Sequence, residues 1–231
     1  MGSKSNCADC RVCKINILRT LTKQELSDIS LEKEVRNFKK GDSIFREGEK
    51  LNGVYCIKSG VAKMSKMSSN GNEQILNLTS KGCVLGQRSL VTNESANLSA
   101  VAVSPVELCF VPKAEIDKAL KNNINFTQAI LNAISLDLKF TQDRVVNMAQ
   151  KTVKQRIAKT LLYLHENFEL DSDQFISLIL TRSDIANIVG AAKEACIRTL
   201  AEFKKKSLIY TSGKKIKINN YDLIKNIADG F

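Results

Sequence analysis

The chain has 231 residues, of which 43% are hydrophobic and 26% charged, and its 35 Lys and Arg against 24 Asp and Glu give a net charge of +11. That length predicts one large or two small domains with a real core, and the composition excludes an intrinsically disordered chain. A single histidine, His165, excludes zinc-hydrolase sites, cupin-type metal enzymes and Ser-His triads, which all need histidine among placed partners, so an enzyme is not expected.

No apolar run reaches the roughly 18 residues that a membrane span needs. Residues 1–11 are polar, without the apolar core of a secretion signal, and Asn6 stands where a myristoylation pattern wants Ser or Thr. Seven cysteines, an odd number in a chain read as unexported, point to a reducing cytoplasmic compartment where thiols act as ligands, sensors or core residues.

Residues 1–20 form a cysteine-bearing segment without periodicity, carrying Cys7, Cys10 and Cys13. Residues 21–120 open with Thr22 and Glu25 at capping-box spacing ahead of Leu26 and Ile29, which predicts a short helix. Short apolar runs follow at 43–45, 54–57, 74–78, 100–103 and 108–111, punctuated by Gly41, Gly48, Gly53, Gly60, Gly71, Gly82 and Gly86. Evenly spaced short strands with turn glycines predict an all-β sandwich or barrel. Within 121–150 the period becomes helical. Phe126, Ile130, Ile134, Leu138, Thr141, Val145 and Met148 recur at steps of four and three, close to a heptad seam. The spacing predicts one long helix over 124–150 that pairs with a second copy of the chain, the alternative being a helix packed only on its own β domain. Residues 151–231 are helical and basic, and end in a hairpin of 208–211 and 215–218 turned at Ser212-Gly213. The fold class is therefore α+β.

Residues 181–208 have the texture of a helix-turn-helix. Ser183 is expected to cap a helix with an apolar face of Ile185, Ile188 and Val189, with Ala186 at the helix crossing and Gly190 at the turn. A second helix from about Lys193 turns Cys196, Leu200 and Phe203 inward. This leaves Lys193, Glu194, Ile197 and Arg198 outward near its N-terminal end, where a recognition helix meets base edges. Arginine pairs bidentately with guanine, and glutamate accepts from cytosine. Over 193–217 eight basic residues, among them Lys204, Lys214 and Lys215, face two acidic ones, which suits phosphate contact with the hairpin as a wing. The bland alternative is a solvated basic surface.

Across essentially its whole length the sequence resembles the CRP/FNR superfamily of bacterial transcription regulators. The resemblance is carried by Lys40-Gly41-Asp42-Ser43-Ile44-Phe45-Arg46-Glu47-Gly48-Glu49, Ile57-Lys58-Ser59-Gly60, Gly82-Cys83-Val84-Leu85-Gly86 and the stretch 181–200. It implies an N-terminal double-stranded β-helix (a cyclic-nucleotide-binding-like β-roll), a long dimerisation helix and a C-terminal winged helix-turn-helix. It also implies a homodimer on a palindromic double-stranded DNA operator, and RNA polymerase as a partner. Glu194 and Arg198 fall on the family's base-reading positions, whereas Lys193 differs from its counterpart in several members.

Two ligands compete for the sensor domain. A buried cyclic phosphate needs an arginine partner, yet the family's glycine-glutamate pair reads Gly86-Gln87 here, 89–111 holds no Arg or Lys, and Arg88 sits at the wrong point of the motif. Cyclic nucleotide is therefore not expected. Cys7, Cys10 and Cys13 form C-x2-C-x2-C, a spacing that wraps an iron–sulfur cluster. Resemblance to the oxygen-sensing FNR branch puts Cys7, Cys10 and Cys109 on three of its four 4Fe-4S ligands. The remaining ligand would fall on Asn16, and Cys13 is offered three residues earlier. The same thiolates suit structural zinc, a thiol redox pair or no cofactor at all. Cys56, Cys83 and Cys196 are read as core residues.

Overall fold

The computed structural model describes residues 7–230. Asn6 and the rest of residues 1–6, which opened the cysteine-bearing segment, lie outside the described residues. The chain divides into two compact units, one of residues up to 66 with 77–140, the other of 67–76 with 141 onward.

In the N-terminal unit, 3-10 turns at Cys7–Asp9, Cys13–Ile15 and Ile17–Thr20 lead into α1 (Lys23–Glu32). The expected capping box forms: Thr22 Oγ1 accepts the Glu25 N–H, and the Glu25 carboxylate accepts the Thr22 N–H. Strands β1 (Glu34–Phe38), β2 (Ser43–Phe45), β3 (Gly53–Ser59), β4 (Ala62–Met67), β5 (Glu73–Thr79) and β6 (Val84–Leu85) follow. Then come α2 (Gln87–Thr92), β7 (Ser99–Ala102), β8 (Val106–Pro112), α3 (Lys113–Asn122) and α4 (Ile124–Gln150). The strands form two antiparallel four-stranded sheets, ordered β1-β8-β3-β6 and β2-β7-β4-β5. Gly60 shows why the motif around it requires glycine. It lies in the left-handed region (φ +84°), and a Cβ there would fall 2.0 Å from the Pro105 carbonyl oxygen.

The β3–β8 pair positions the sensor site. Tyr55, Ile57, Leu108 and Phe110 pack into the interior of the roll. Val54, Cys56, Cys109 and Val111 pack instead with Cys7, Cys13, Leu18 and Ile29, and with Ile116, Phe126 and Ile130 of α3 and α4. Both faces of these strands are buried, which is why they read as continuous apolar runs rather than alternating ones.

The long helix α4 has the expected bounds, but its stripe divides. Phe126 and Ile130 are buried in the chain's own core, and Ile134 packs partly against it. The expectation that Phe126 and Ile130 lie in a dimer seam is corrected: the β-roll takes them, because the first two turns of α4 lie over the same core as α1 and β8. Leu131, Leu138 and Val145 are exposed at heptad intervals, with Leu136, Phe140 and Val146 exposed beside them. Along the heptad-spaced stripe Leu131, Leu138, Thr141 and Val145 are thus exposed, while Ile134 and Met148 are half-buried.

The C-terminal unit contains α5 (Val153–Asn167), α6 (Arg182–Val189), α7 (Lys193–Lys205), β9 (Ile209–Ser212), β10 (Lys215–Ile218) and α8 (Tyr221–Asp229). Thr181, not Ser183, caps α6. Its Oγ1 accepts the Asp184 N–H at 3.0 Å and the Asp184 carboxylate returns to the Thr181 N–H at 2.9 Å, a reciprocal pair that starts the helix two residues earlier than expected. Gly190 closes α6 in the left-handed conformation (φ 63°, ψ 53°). The ring of His165 on α5 lies 5.8 Å from that of Tyr221 on α8, a packing role.

Candidate functional site

Two sites emerge, one in each unit. In the first, the N-terminal segment coils back on itself: the Cys10 N–H donates to the Cys7 carbonyl at 3.2 Å and the Lys14 N–H to the Cys10 carbonyl at 3.4 Å. The Cys7 N–H is tied to Ser30 Oγ of α1 at 2.8 Å. Cys109 lies in register between Val35 of β1 and Cys56 of β3. Cys7, Cys13, Cys56 and Cys109 are buried in one core cluster, and Cys10 is half-buried against it. Cys7, Cys10, Cys13 and Cys109 thus share one core cluster, and Cys56, read from the sequence as a core residue, belongs to the same cluster. The signal that was available, Cys56 on a strand, did not say which neighbour or which face.

The thiols are not electrostatically equivalent. Cys7 is pulled down to about 5 because the Cys13 thiol donates to it, with Ser30 and the Lys33 ammonium assisting against the burial that opposes ionisation. Cys13 is pushed up by holding that proton and by its own burial. Burial also raises Cys109, against the pull of Lys33 and Lys58, and raises Cys56 strongly. Lys33 Nζ donates to Cys7 Sγ at 3.1 Å. Buried thiols with one readily ionised member and a cation beside them are a donor set that soft metals and iron–sulfur clusters take. Among the described residues no three His, Cys, Asp or Glu side chains stand ready around a single metal ion.

The place where the family carries its phosphate cassette is built differently. Arg88 reaches outward to Glu94 at 2.6 Å, on the surface. The roll interior is filled by aromatic rings, with Phe45 and Tyr55 at 5.4 Å and Tyr55 and Phe110 at 5.2 Å between centroids.

In the C-terminal unit, α7 buries Cys196, Leu200 and Phe203 and leaves Lys193, Glu194, Ile197 and Arg198 exposed on one contiguous face. Cys196 is pushed up to about 11 by burial, so it is an inert core thiol. The hairpin β9–β10 forms and pairs antiparallel, but its turn is one residue later than expected: Ser212 belongs to β9 and pairs with Lys215, which leaves Gly213-Lys214 as the turn. Lys204 and Lys214 are exposed. The Lys215 ammonium pairs with the Asp171 carboxylate at 2.7 Å while its side chain stays partly exposed. Glu202 pairs with Lys154 at 2.8 Å and with Lys206 at 3.0 Å.

The turn between α6 and α7 is held by side chains that the sequence did not single out. A helix leaves its last carbonyls without partners. Here the Asn187 carbonyl accepts from Gln74 Nε2, and the Ile188 carbonyl from Arg144 Nη2 at 2.7 Å. The Val189 carbonyl accepts from Arg156 Nε at 2.7 Å, and the Gly190 carbonyl from Arg156 Nη2 at 3.3 Å. Arg182 Nη2 reaches the Gly213 carbonyl in the wing turn at 3.4 Å.

Two family profiles match this architecture: the cyclic nucleotide-binding domain over residues 35–123 and the Crp-like helix-turn-helix domain over residues 155–227. The fumarate nitrate reduction regulatory protein of Klebsiella oxytoca is 27% identical over 98% of this chain and 92% of its own length. The fumarate and nitrate reduction regulatory protein of Escherichia coli is 26% identical over the same shares. The chain belongs to the CRP/FNR superfamily. It is a transcription regulator of that type, not an enzyme, and similarity to its curated relatives places it in the FNR-like branch. Solved structures share the fold. FixK2 from Bradyrhizobium japonicum has a TM-score of 0.74 at 22% identity, over 84% of this chain and 96% of its own. A crp/fnr-family transcriptional regulator from Eubacterium rectale has 0.78 at 18%, over 93% and 98%. A Crp-like helix-turn-helix binds DNA, and no helix among the described residues is long and apolar enough to cross a membrane.

Proposed function

We propose that the protein is a cytoplasmic homodimer that binds a palindromic operator and recruits or blocks RNA polymerase. In this reading its operator affinity is set by an oxygen- or nitric-oxide-responsive iron–sulfur cluster, a 4Fe-4S centre on Cys7, Cys10, Cys13 and Cys109. The observation that carries the redox reading is the meeting of the N-terminal cysteines with Cys109 of β8 in one buried core beside a lysine. Cys13 takes the place that the FNR branch would give to Asn16. Asn16 is unsuited to it: its side-chain oxygen accepts the Leu18 N–H at 2.9 Å and starts the next 3-10 turn. When bound, the cluster would supply reactivity toward oxygen or nitric oxide. The chain's own residues tie a segment without a strand or long helix to β8, so loss of the tie frees that segment from the core that α4 shares. Cyclic nucleotide is not part of this reading, since Arg88 is spent on Glu94.

For DNA, Lys193, Glu194, Ile197 and Arg198 read bases, and Lys204 and Lys214 contact phosphate. Dimerisation runs along Leu131, Ile134, Leu138, Thr141, Val145 and Met148, a mainly apolar stripe of which a single chain leaves Leu131, Leu138, Thr141 and Val145 exposed to water.

Anaerobic purification with a visible spectrum and iron and sulfide analysis, repeated on Cys109→Ala, tests the cofactor. A wild-type chain that is brown and contains iron and sulfide, with loss of both in the variant, is expected. A colourless chain containing zinc would replace the cluster with structural zinc on the same thiolates. A colourless, metal-free chain would leave thiol chemistry or no cofactor.

A further inference from the structure

Among the described residues, Lys33 is the only Lys, Arg, Asp or Glu buried as deeply as the core, at 3% exposure. An ammonium taken out of water is unfavourable unless an anion accompanies it. Its place is set by helix α1: the Lys33 N–H closes the helix on the Ile29 carbonyl at 2.9 Å, and its Nζ donates to Cys7 Sγ at 3.1 Å. Cys7 is fixed from the same helix through its own N–H on Ser30 Oγ. Both ends of the nitrogen–sulfur contact are therefore anchored on α1, a helix closed at its start by the Thr22–Glu25 capping box. By contrast the nearby Lys58 is paired with Glu107, a carboxylate at the strand end.

We infer that Lys33 is the resident counter-ion of the thiolate centre: it positions Cys7 as an anionic ligand and offsets the negative charge that the cysteinates bring. The inference rests on the reading that these thiolates hold a metal group. Its consequence is specific. A reduced cluster carries one more negative charge than its oxidised form, so a fixed cation beside one ligand favours the reduced form and raises the midpoint potential. The Lys33 hydrogen bond to Cys7 Sγ also holds that ligand in place, which slows the ligand's departure.

The test compares the wild-type chain with Lys33→Met, Lys33→Gln and Lys33→Arg, each reconstituted anaerobically with iron and sulfide. The readouts are metal content, midpoint potential by redox titration, and the half-life of visible absorbance in air. Lys33→Met fills the same space without charge, and Lys33→Gln keeps a donor without charge, so either reports if the other does not fold. Both are expected to shift the midpoint to more negative potential and to shorten the half-life by about tenfold, the scale of one charged hydrogen bond. Lys33→Arg is expected to keep both near wild type. A merely structural lysine would lower yield or thermal stability without moving the potential. If the wild type loads its cluster and the neutral variants keep its potential and half-life, the counter-ion role is overturned and the cluster reading stands. If the wild type binds zinc, the variants must release it faster to a chelator, and equal release overturns the inference. A wild type that holds no metal overturns the inference together with the reading beneath it.

Discussion

Replacing Arg156 with Met removes the guanidinium that joins two helix ends. Its Nε donates to the Val189 carbonyl at 2.7 Å and its Nη1 to the Lys151 carbonyl at 2.6 Å, with longer contacts to Met148 at 3.2 Å and Gly190 at 3.3 Å. Charged hydrogen bonds contribute about 1.5–3 kcal/mol each. Counting only the short pair, and allowing water to reach some of the freed carbonyls because the site is half-buried, the expected loss is about 3 kcal/mol. For a unit of this size each kcal/mol shifts Tm by about 4–8 °C, so a fall of about 12–24 °C is expected in the C-terminal transition. The α6 carbonyls concerned are those that set the turn into α7, so operator affinity should fall with stability. Lys can reach only one carbonyl well, so Arg156→Lys should recover less than half of the loss. Thermal unfolding by circular dichroism, with operator binding by fluorescence anisotropy, reads both. A Tm for Arg156→Met within about 2 °C of wild type, equivalent to under 0.5 kcal/mol, would refute this account of the turn.

Arg198→Ala should cost about 1–3 kcal/mol at one base pair and relax preference there, measured by competition among operator variants; an unaltered preference would remove Arg198 from base readout. Leu138→Glu or Val145→Glu should yield monomers with unchanged helicity in analytical ultracentrifugation, since both side chains are exposed in the single chain, whereas Phe126→Ala should lower stability by about 3–5 kcal/mol through a core cavity. Asp171 is held below the ordinary carboxylate range by the Lys215 ammonium, then by the Phe175 N–H. Its folded-state value lies below its unfolded one, so its contribution is fully present above about pH 4 and is lost as pH falls through the depressed value. Asp171→Asn should flatten the acid limb of wing stability, followed by near-ultraviolet signals of Tyr210, and an identical acid limb would count against the pair.

Local pattern carried much of this structure. The bounds of α4, the start of α7, the existence of the wing hairpin and the Thr22–Glu25 box follow from short-range spacing, because capping, turn chemistry and helical period are properties of neighbouring residues. Where two local solutions competed, the better reciprocal geometry won: Thr181 with Asp184 outdid Ser183 as the cap of α6. Arg144, Arg156 and Gln74 were invisible as functional residues, since their partners are carbonyls, and carbonyls leave no mark in a sequence.

The sequence by itself determined which residues are thiols, which helix carries Lys193, Glu194, Ile197 and Arg198 outward, and where the strands turn. Only the tertiary structure decided which neighbours each face receives. Strands β3 and β8 are buried on both sides, so no alternation in the chain could say that Cys56 and Cys109 share the face toward Cys7 while Tyr55 and Phe110 take the other. The same holds on α4, where one apolar stripe serves the chain's own core at Phe126 and Ile130 and leaves Leu131, Leu138 and Val145 open. Hydrophobic period records that a side chain avoids water, and packing alone records what it meets instead.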